Sequence, residues 1–212
     1  KLTLEDLPVS TRKYPHISFK AERTCGKSVL KVRSLAAVAQ DGEQLFSDVS
    51  FTLARGDRVA FVGPNSLAKT ALFEILAGER EQQRGSFEWG QTLTTAYYPK
   101  ENDAFFKDSD LDLIDWMRQF SKDQHEEYVR GFLGRMLFSG DDTFKRVKVL
   151  SGGERVRCML SRMMQFGANA LILDEPTNHL DLESITALNR GLTAFDEENV
   201  ILVSSHDREL VN

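Results

Sequence analysis

A short apolar run that ends in two adjacent carboxylates constrains the fold of this chain most strongly. Residues Ala170 to Leu173 are all apolar, and Asp174 and Glu175 follow them directly. An apolar run of this length is typical of a strand buried on both faces of a parallel sheet. Because sites of α/β proteins lie beyond the carboxyl ends of such strands, the pattern predicts an α/β fold with both carboxylates at a site. One carboxylate would hold a metal, and the other would activate a water.

A second segment predicts an anion site at the beginning of a helix. Ser151 and Glu154 have the spacing of a capping box, and a long amphipathic pattern follows them. The capping interpretation alone explains these two residues. Gly152 and Gly153 favour an additional interpretation, since they leave the helix N-terminus accessible to a phosphate.

The third segment has the strand–loop–helix context of a phosphate-binding loop. An apolar strand pattern at 58–62 leads into it, and a helix pattern over 70–77 follows. Lys69 is predicted to reach the phosphates of a nucleotide, and Thr70 to bind Mg²⁺. The predicted nucleotide-binding residues are Gly63, Pro64, Asn65, Ser66, Leu67, Ala68, Lys69, Thr70 and Ala71.

Together these segments resemble the motifs of ABC ATPases, and the resemblance extends from about Leu30 to His206. The phosphate loop resembles Walker A, while Asp174 and Glu175 resemble Walker B and the catalytic glutamate that follows it. Residues 178–181 are similar to the D-loop in the form used by the ABC-F class, soluble tandem-domain ATPases that act on ribosomes. The residues that resemble the ABC signature are Leu150, Ser151, Gly152, Gly153 and Glu154.

The resemblance implies a fold and a chemistry. The implied fold is an α/β P-loop NTPase of ABC type, with a mixed core sheet, an antiparallel β portion and a helical subdomain. The implied substrate is ATP, with Mg²⁺ as cofactor bound through Thr70 and Asp174. Glu175 would orient the attacking water, and His206, after the last strand pattern, would contact the γ-phosphate.

The resemblance also implies a partner. In the family each signature faces the γ-phosphate held by the opposite domain, so hydrolysis requires a second ABC domain, in the same full-length chain or in a dimer. The D-loop of this chain contributes Leu180 and Asp181. An ABC-F protein would act in translation, with the ribosome or tRNA as a further partner. The alternative within the same fold is the ATPase subunit of an ABC transporter.

Several positions depart from the family pattern, including the place near Val38 or Ala39, where neither residue is the aromatic that would stack on adenine. Ser66 and Ala68 stand where the Walker A pattern has glycine, and Lys100 stands where the Q-loop glutamine is expected. A non-glycine residue forced to positive φ costs about 1 kcal/mol, so the two loop substitutions are expected to strain or obstruct the phosphate site. They support another alternative, a pseudo-ATPase domain that only lends its signature to a partner.

Composition limits the remaining possibilities. The 212 residues are 41% hydrophobic and 28% charged, which is ordinary for a globular protein. With two cysteines and neither a secretory signal nor an apolar run long enough to span a membrane, a cytoplasmic location is expected. The net charge of −5 gives no overall nucleic-acid footprint. The basic concentration at 145–148 and at Arg155, Arg157 and Arg162 is either a solvated helix face or an RNA contact.

The sequence predicts the following domain organisation. Residues 1–27 are interpreted as the end of an interdomain linker, in which residues 16–20 alternate and could pair as a strand. Residues 28–212 would form the ABC ATPase domain, with the helical subdomain at about 108–165. Within that subdomain, Asp123 and Glu126 have capping-box spacing.

Overall fold

The computed structural model of the chain describes residues 14–205. Within these residues, seven strands form two sheets, one antiparallel with the order β2-β1-β4 and one parallel with the order β3-β7-β6-β5. The predicted α/β class is confirmed, and the antiparallel portion forms a sheet of its own. The strands are β1 (Ser28–Val38), β2 (Gln44–Ala54), β3 (Arg58–Phe61), β4 (Arg84–Trp89), β5 (Thr95–Tyr98), β6 (Ala170–Asp174) and β7 (Val200–Ser204).

The parallel sheet lies between two hydrophobic cores. Alternate residues of a strand point to opposite faces, and β6 and β7 are buried at every position. Leu171 and Leu173 of β6 pack into the core that contains the helical region. Ala170 and Ile172 pack into the core shared with the antiparallel sheet. Burial on both faces explains why β6 is apolar throughout.

Five α-helices complete the described fold. The first, α1, follows β3 and packs against β6 and the antiparallel sheet. Three helices lie between β5 and β6, where the helical subdomain is expected, and short 3₁₀ turns at 103–105, 140–144 and 147–149 connect them. The helices are α1 (Ser66–Ala77), α2 (Leu113–Arg118), α3 (Glu126–Arg135), α4 (Gly152–Gln165) and α5 (Leu182–Thr193).

The helical region has its own aromatic and methionine packing. Trp116 stacks on Phe106 with ring centroids 4.9 Å apart, and both rings are buried. Met159 and Met163 of α4 are also buried, as their helical spacing predicts. Flexible methionine side chains fill irregular space between packed elements.

Some local expectations were wrong. Residues 16–20 form no strand, although Ile17 and Phe19 are buried in the core with the predicted alternation. The α3 helix has His125 as its N-cap without a side-chain cap bond, so the expected capping box at Asp123 is absent; Asp123 instead accepts a bond from the His125 N–H at 2.9 Å. None of the helices within residues 14–205 is long and apolar enough to cross a membrane.

Candidate active site

The phosphate loop is held by a side-chain cap. The loop leaves β3 through Gly63, whose φ of +142° is a backbone conformation that favours glycine. The Asn65 carboxamide oxygen then accepts a bond from the Ala68 N–H at 3.0 Å, and α1 begins at Ser66. The helix was expected to begin at Thr70, so it is longer at its N-terminus than the apolar pattern predicts.

The expected strain at the substituted loop positions is absent. Ser66 and Ala68 both lie within α1, and neither has a positive φ. Early helix formation gives both residues the right-handed conformation that side chains prefer. The loop therefore accommodates both side chains without strain from a positive φ.

A buried ion pair joins the loop to the carboxyl end of β6. Lys69 Nζ lies 3.2 Å from Glu175 Oε1, and the two side chains are 8% and 5% exposed. The residues are 106 positions apart in the chain, so only the folded sheet brings them together. Removing one member of such a pair leaves the other charge buried without compensation, which is strongly destabilising.

A second pair lies beside the first. Thr70 Oγ1 donates to Asp174 Oδ2 at 2.6 Å, and Ser204 Oγ, at the end of β7, donates to Asp174 Oδ1. Burial raises the pKa of the Asp174 carboxyl above its ordinary value, while the bonds from Ser204 and Thr70 lower it in part. Sequence analysis assigns no role to Ser204, because a serine at a strand end has no distinctive pattern.

Thr70 and Asp174 fit a magnesium ion that enters together with a nucleotide. Their adjacent oxygens are hard ligands of the type that Mg²⁺ prefers. Within residues 14–205, no group of three or more His, Cys, Asp or Glu side chains could hold a metal by itself. The other ligands would therefore be phosphate oxygens and water, which is how proteins usually hold Mg²⁺.

Glu175 has an unusual backbone conformation. Its φ is +48°, in the left-handed region that non-glycine residues rarely adopt. The Glu175 N–H donates to the carbonyl oxygen of Ser204 at 3.0 Å and lies 3.1 Å from the Ser204 hydroxyl oxygen. These bonds fix the turn after β6 that directs the carboxylate towards Lys69.

Two departures from the family pattern contact each other. Lys100, a half-buried residue after β5, donates from Nζ to Ser66 Oγ at 2.7 Å. The sequence marked each position as unusual. It gave no sign of their contact, because 34 residues separate them.

The signature segment forms the predicted capping box. Glu154 N–H donates to Ser151 Oγ at 3.4 Å, and Ser151 N–H donates to Glu154 Oε2 at 2.8 Å. Ser151 and Gly152 are exposed, whereas Leu150 is buried and anchors the segment in the core. The glycines lie against the D-loop of the same chain: a Cβ added to Gly152 would be 3.7 Å from the His179 Cβ.

The D-loop is a turn that leads into α5. Asp181 is the N-cap of that helix and accepts a bond from the Ser184 N–H at 2.8 Å. The hydrogen bonds from Ser184 lower the pKa of the Asp181 carboxyl. Leu180 is half-buried against the core, and His179 has a φ of +66°. The two residues that follow the unusual backbone conformation at His179 are therefore held in place.

Exposed apolar side chains flank the predicted motifs. The four most exposed large apolar side chains within residues 14–205 are 65–69% accessible. Two belong to the phosphate-loop region, one precedes the signature, and one follows the D-loop. They are Val62, Leu67, Val149 and Leu182. Single exposed apolar side chains are ordinary on a protein surface, and the feature of these four is that each lies next to a predicted motif.

The predictions for His206 and for the basic residues at 145–162 have different outcomes. His206 lies outside the described residues, so its contact with a γ-phosphate stays a prediction. Three of the six basic residues are paired with acids: Lys145 lies 2.7 Å from Asp142, Lys148 contacts Asp110, and Arg155 lies 2.6 Å from Asp103. This pairing favours the solvated helix face over an RNA contact.

Three curated proteins that are similar in sequence to this chain are much longer than it. The uncharacterized ABC transporter ATP-binding protein YkpA of Bacillus subtilis is 54% identical over 212 residues, all of this chain and 39% of that protein. The energy-dependent translational throttle protein EttA of Escherichia coli is 35% identical over 185 residues, 86% of this chain and 33% of that protein. ABC transporter F family member 5 of Arabidopsis thaliana is 30% identical over 94% of this chain. The chain thus spans well under half the length of these relatives.

Comparison with solved structures supports the same fold. A dimeric ATP-binding cassette in a post-hydrolysis state, bound to ADP and Pi, superposes with a TM-score of 0.71 at 14% identity, covering 85% of this chain and 89% of that one. The family model described as ABC transporter matches residues 46–178, more than half of the chain. The match includes the phosphate loop, the signature and the carboxylates after β6. This chain therefore belongs to the ABC transporter family, as an ATPase domain of the ABC type.

Proposed function

We propose that this chain binds Mg·ATP at its phosphate loop and hydrolyses it when a second ABC domain completes the site. The arrangement of four side chains carries this proposal: Lys69 and Glu175 form one buried pair at 3.2 Å, and Thr70 and Asp174 form the other at 2.6 Å. Cation, hydroxyl and carboxylates are the groups that phosphoryl transfer requires. They meet even though both loop glycines are replaced.

In the proposed reaction each group has one role. Lys69 binds the phosphates, which releases the Glu175 carboxylate to orient a water for attack on the γ-phosphorus. The bond from that phosphorus to the bridging oxygen then breaks, and ADP and phosphate leave. Mg²⁺ bound through Thr70 and Asp174 would neutralise charge on the phosphates. The contact of His206 with the γ-phosphate belongs to this proposal on sequence grounds alone.

We propose that the second ABC domain binds the exposed surface around the signature, the phosphate loop and the D-loop. Gly152 leaves the α4 N-terminus exposed to an anion, and no described residue covers Val149 beside it. Leu67 in the phosphate loop and Leu182 after the D-loop are further exposed apolar side chains. A head-to-tail partner would cover these groups and place its own signature at the phosphate loop of this chain.

We further propose that the full-length protein acts in translation as an ABC-F protein in the cytoplasm. The basis is the D-loop form at Asn178 and His179, together with the similarity to EttA, whose name describes a translational throttle. Residues 1–27 would be linker and residues 28–212 the ATPase domain. The runner-up is the ATPase subunit of a transporter.

Calorimetric titration with Mg·ATP tests the central proposal. The wild-type chain is expected to bind ATP, and Lys69→Ala is expected to weaken binding about 100-fold, because a buried charged contact contributes several kcal/mol. Lys107→Ala, at an exposed lysine, is the matched control and should bind like wild type.

Absence of binding up to millimolar ATP by a folded chain would replace this proposal with the pseudo-ATPase alternative. One observation favours that alternative: the Asn65 carboxamide oxygen already accepts a bond from the Ala68 N–H. Thermal unfolding monitored by circular dichroism establishes that the titrated chain is folded.

Co-sedimentation with purified ribosomes tests the proposed role in translation. The chain should sediment with ribosomes through a sucrose cushion more strongly with ATP than without it. The Lys69→Ala variant should show no such difference. Equal sedimentation of both variants under both conditions would contradict an ATP-dependent ribosomal role for this chain.

A further inference from the structure

A second lysine approaches the phosphate loop from a different strand. Lys100 follows β5, and its Nζ donates at 2.7 Å to the hydroxyl of Ser66, the first residue of α1. The ammonium therefore lies at the start of the helix that contains Lys69 and Thr70, the residues that would bind the phosphates and the metal.

This lysine changes the charge balance of the site. Ionised Asp174 and Glu175 supply two negative charges, and Lys69 compensates one of them through its ion pair. Lys100 supplies the second compensating charge, whereas a neutral glutamine at that position would leave the site with a net negative charge. Since nucleotide phosphates are repelled by carboxylates at short range, a fixed cation there favours their entry.

The hydrogen bond to Ser66 is of a kind that a phosphate can replace. A serine hydroxyl is a neutral acceptor, whereas a phosphate oxygen is an anionic one, and charge-assisted bonds are about twice as strong. Lysine has a flexible stem and three donors, so its ammonium can move from Ser66 to a phosphate oxygen nearby. Ser66 thus keeps the cation at the loop until an anion arrives.

We propose that Lys100 is a second phosphate-binding cation of this site, held at the loop by Ser66, and that it makes ATP binding less dependent on Mg²⁺. This inference rests on the proposed function, namely that the loop binds ATP. It explains the departures at 66 and 100 as one arrangement: the hydroxyl positions the ammonium, and the ammonium takes over part of the charge neutralisation that Mg²⁺ supplies.

The test compares ATP binding with and without the metal. Calorimetric titrations with ATP in Mg²⁺ and in EDTA are made on the wild-type chain, Lys100→Gln and Lys100→Arg, with Lys107→Gln as the matched control at an exposed lysine. Lys100→Gln should lose about tenfold in affinity in EDTA and about threefold or less in Mg²⁺, since the metal compensates for the missing charge. Lys100→Arg should recover most of the loss in EDTA.

Other outcomes separate this inference from the proposed function. An equal loss in both buffers, no loss, or wild-type binding that disappears in EDTA would overturn the role of Lys100 and leave Mg·ATP binding intact. Tighter binding by Lys100→Gln would overturn it in the opposite direction, because Lys100 would then obstruct the site. A folded wild-type chain that binds no ATP in Mg²⁺ would overturn both, and the Lys69→Ala titration identifies that case independently.

Discussion

The phosphate-loop half of the site contains Lys69, Thr70, Asp174 and Glu175, and the signature half contains residues 150–154. The two halves differ in how far along the chain their polar side chains lie from their hydrogen-bond partners. In the phosphate-loop half, Lys69 and Glu175 are buried and meet across 106 residues of sequence. In the signature half, Ser151 and Glu154 satisfy each other within three residues, at an exposed helix end. One half is a product of tertiary structure, and the other is a local motif on the surface.

The difference assigns the two halves different roles. Buried charges keep a fixed geometry because leaving either one unpaired is costly, so the phosphate-loop half is suited to position reacting groups. An exposed and locally capped helix end keeps its shape without help from the rest of the fold. It is suited to offer its N–H groups to an anion held by another domain. Substitutions should therefore affect both chemistry and stability in the first half, and only local stability in the second.

The largest expected effect is on hydrolysis, at Glu175. Glu175→Gln removes the carboxylate that orients the attacking water while keeping its shape, so the rate of phosphate release from ATP should fall at least about 100-fold. Calorimetry should show that ATP binding is retained. The matched control is Glu127→Gln, at an exposed position of α3. Hydrolysis at the wild-type rate in Glu175→Gln would exclude Glu175 as the catalytic group.

Ser204→Ala is expected to have the next largest effect, on stability. It removes a donor to buried Asp174 and an acceptor near the Glu175 N–H. Leaving buried polar groups unsatisfied costs about 2 kcal/mol, which corresponds to a fall of about 6 °C in Tm for a domain of this size.

Ser161 offers a matched control for that substitution. It is also fully buried, but its hydroxyl has no hydrogen-bond partner among the described residues. Ser161→Ala should therefore leave the Tm close to that of the wild type in the same circular dichroism experiment. Equal shifts for the two variants would mean that the Ser204 bonds contribute nothing specific.

Ser151→Ala tests the local nature of the signature half. Loss of the N-cap should cost about 1 kcal/mol and lower the Tm by about 3 °C, because the Glu154 N–H loses its acceptor. Calorimetric ATP affinity should stay unchanged, since the phosphate-loop half is untouched. Ser47→Ala, at an exposed position of β2, is the control for the serine-to-alanine change. A large change in ATP affinity would show that the halves are coupled within one chain.

The smallest effect is expected at the paired basic residues. Lys148→Ala removes a surface ion pair with Asp110, and such pairs contribute little because water screens them. The Tm should be indistinguishable from that of the wild type. Co-sedimentation with ribosomes should also be unchanged, and a clear loss would restore the RNA-contact interpretation of these lysines.

The sequence predicted the elements of this site better than the connections between them. The apolar run of β6, the capping box at Ser151 and the strand–loop–helix order are local patterns, and the structure confirms them. The Lys100–Ser66 contact and the role of Ser204 depend on the order of strands in the sheet. Single-sequence periodicity carries no information on that order.

Two errors have local physical causes. The strain expected at Ser66 and Ala68 assumed the backbone of a glycine loop, whereas Asn65 supplies a cap that allows the helix to begin earlier. The strand expected near Ile17 had the right alternation but lacks a partner strand, so its burial comes from packing alone. In both cases the sequence pattern is present in the structure. The backbone conformation depends instead on which hydrogen-bond partners are available.

The Asn65 side chain and a nucleotide phosphate would compete for the same backbone donor, the Ala68 N–H. The Ala68 N–H, already bound to Asn65 Oδ1 at 3.0 Å, belongs to the group of amides with which a phosphate loop surrounds its ligand. Free energy that stabilises the capped first turn of α1 therefore opposes nucleotide binding at the same N–H. A phosphate that binds this N–H would have to displace the Asn65 carboxamide oxygen, so the cap lowers the affinity that the loop would otherwise have for the nucleotide.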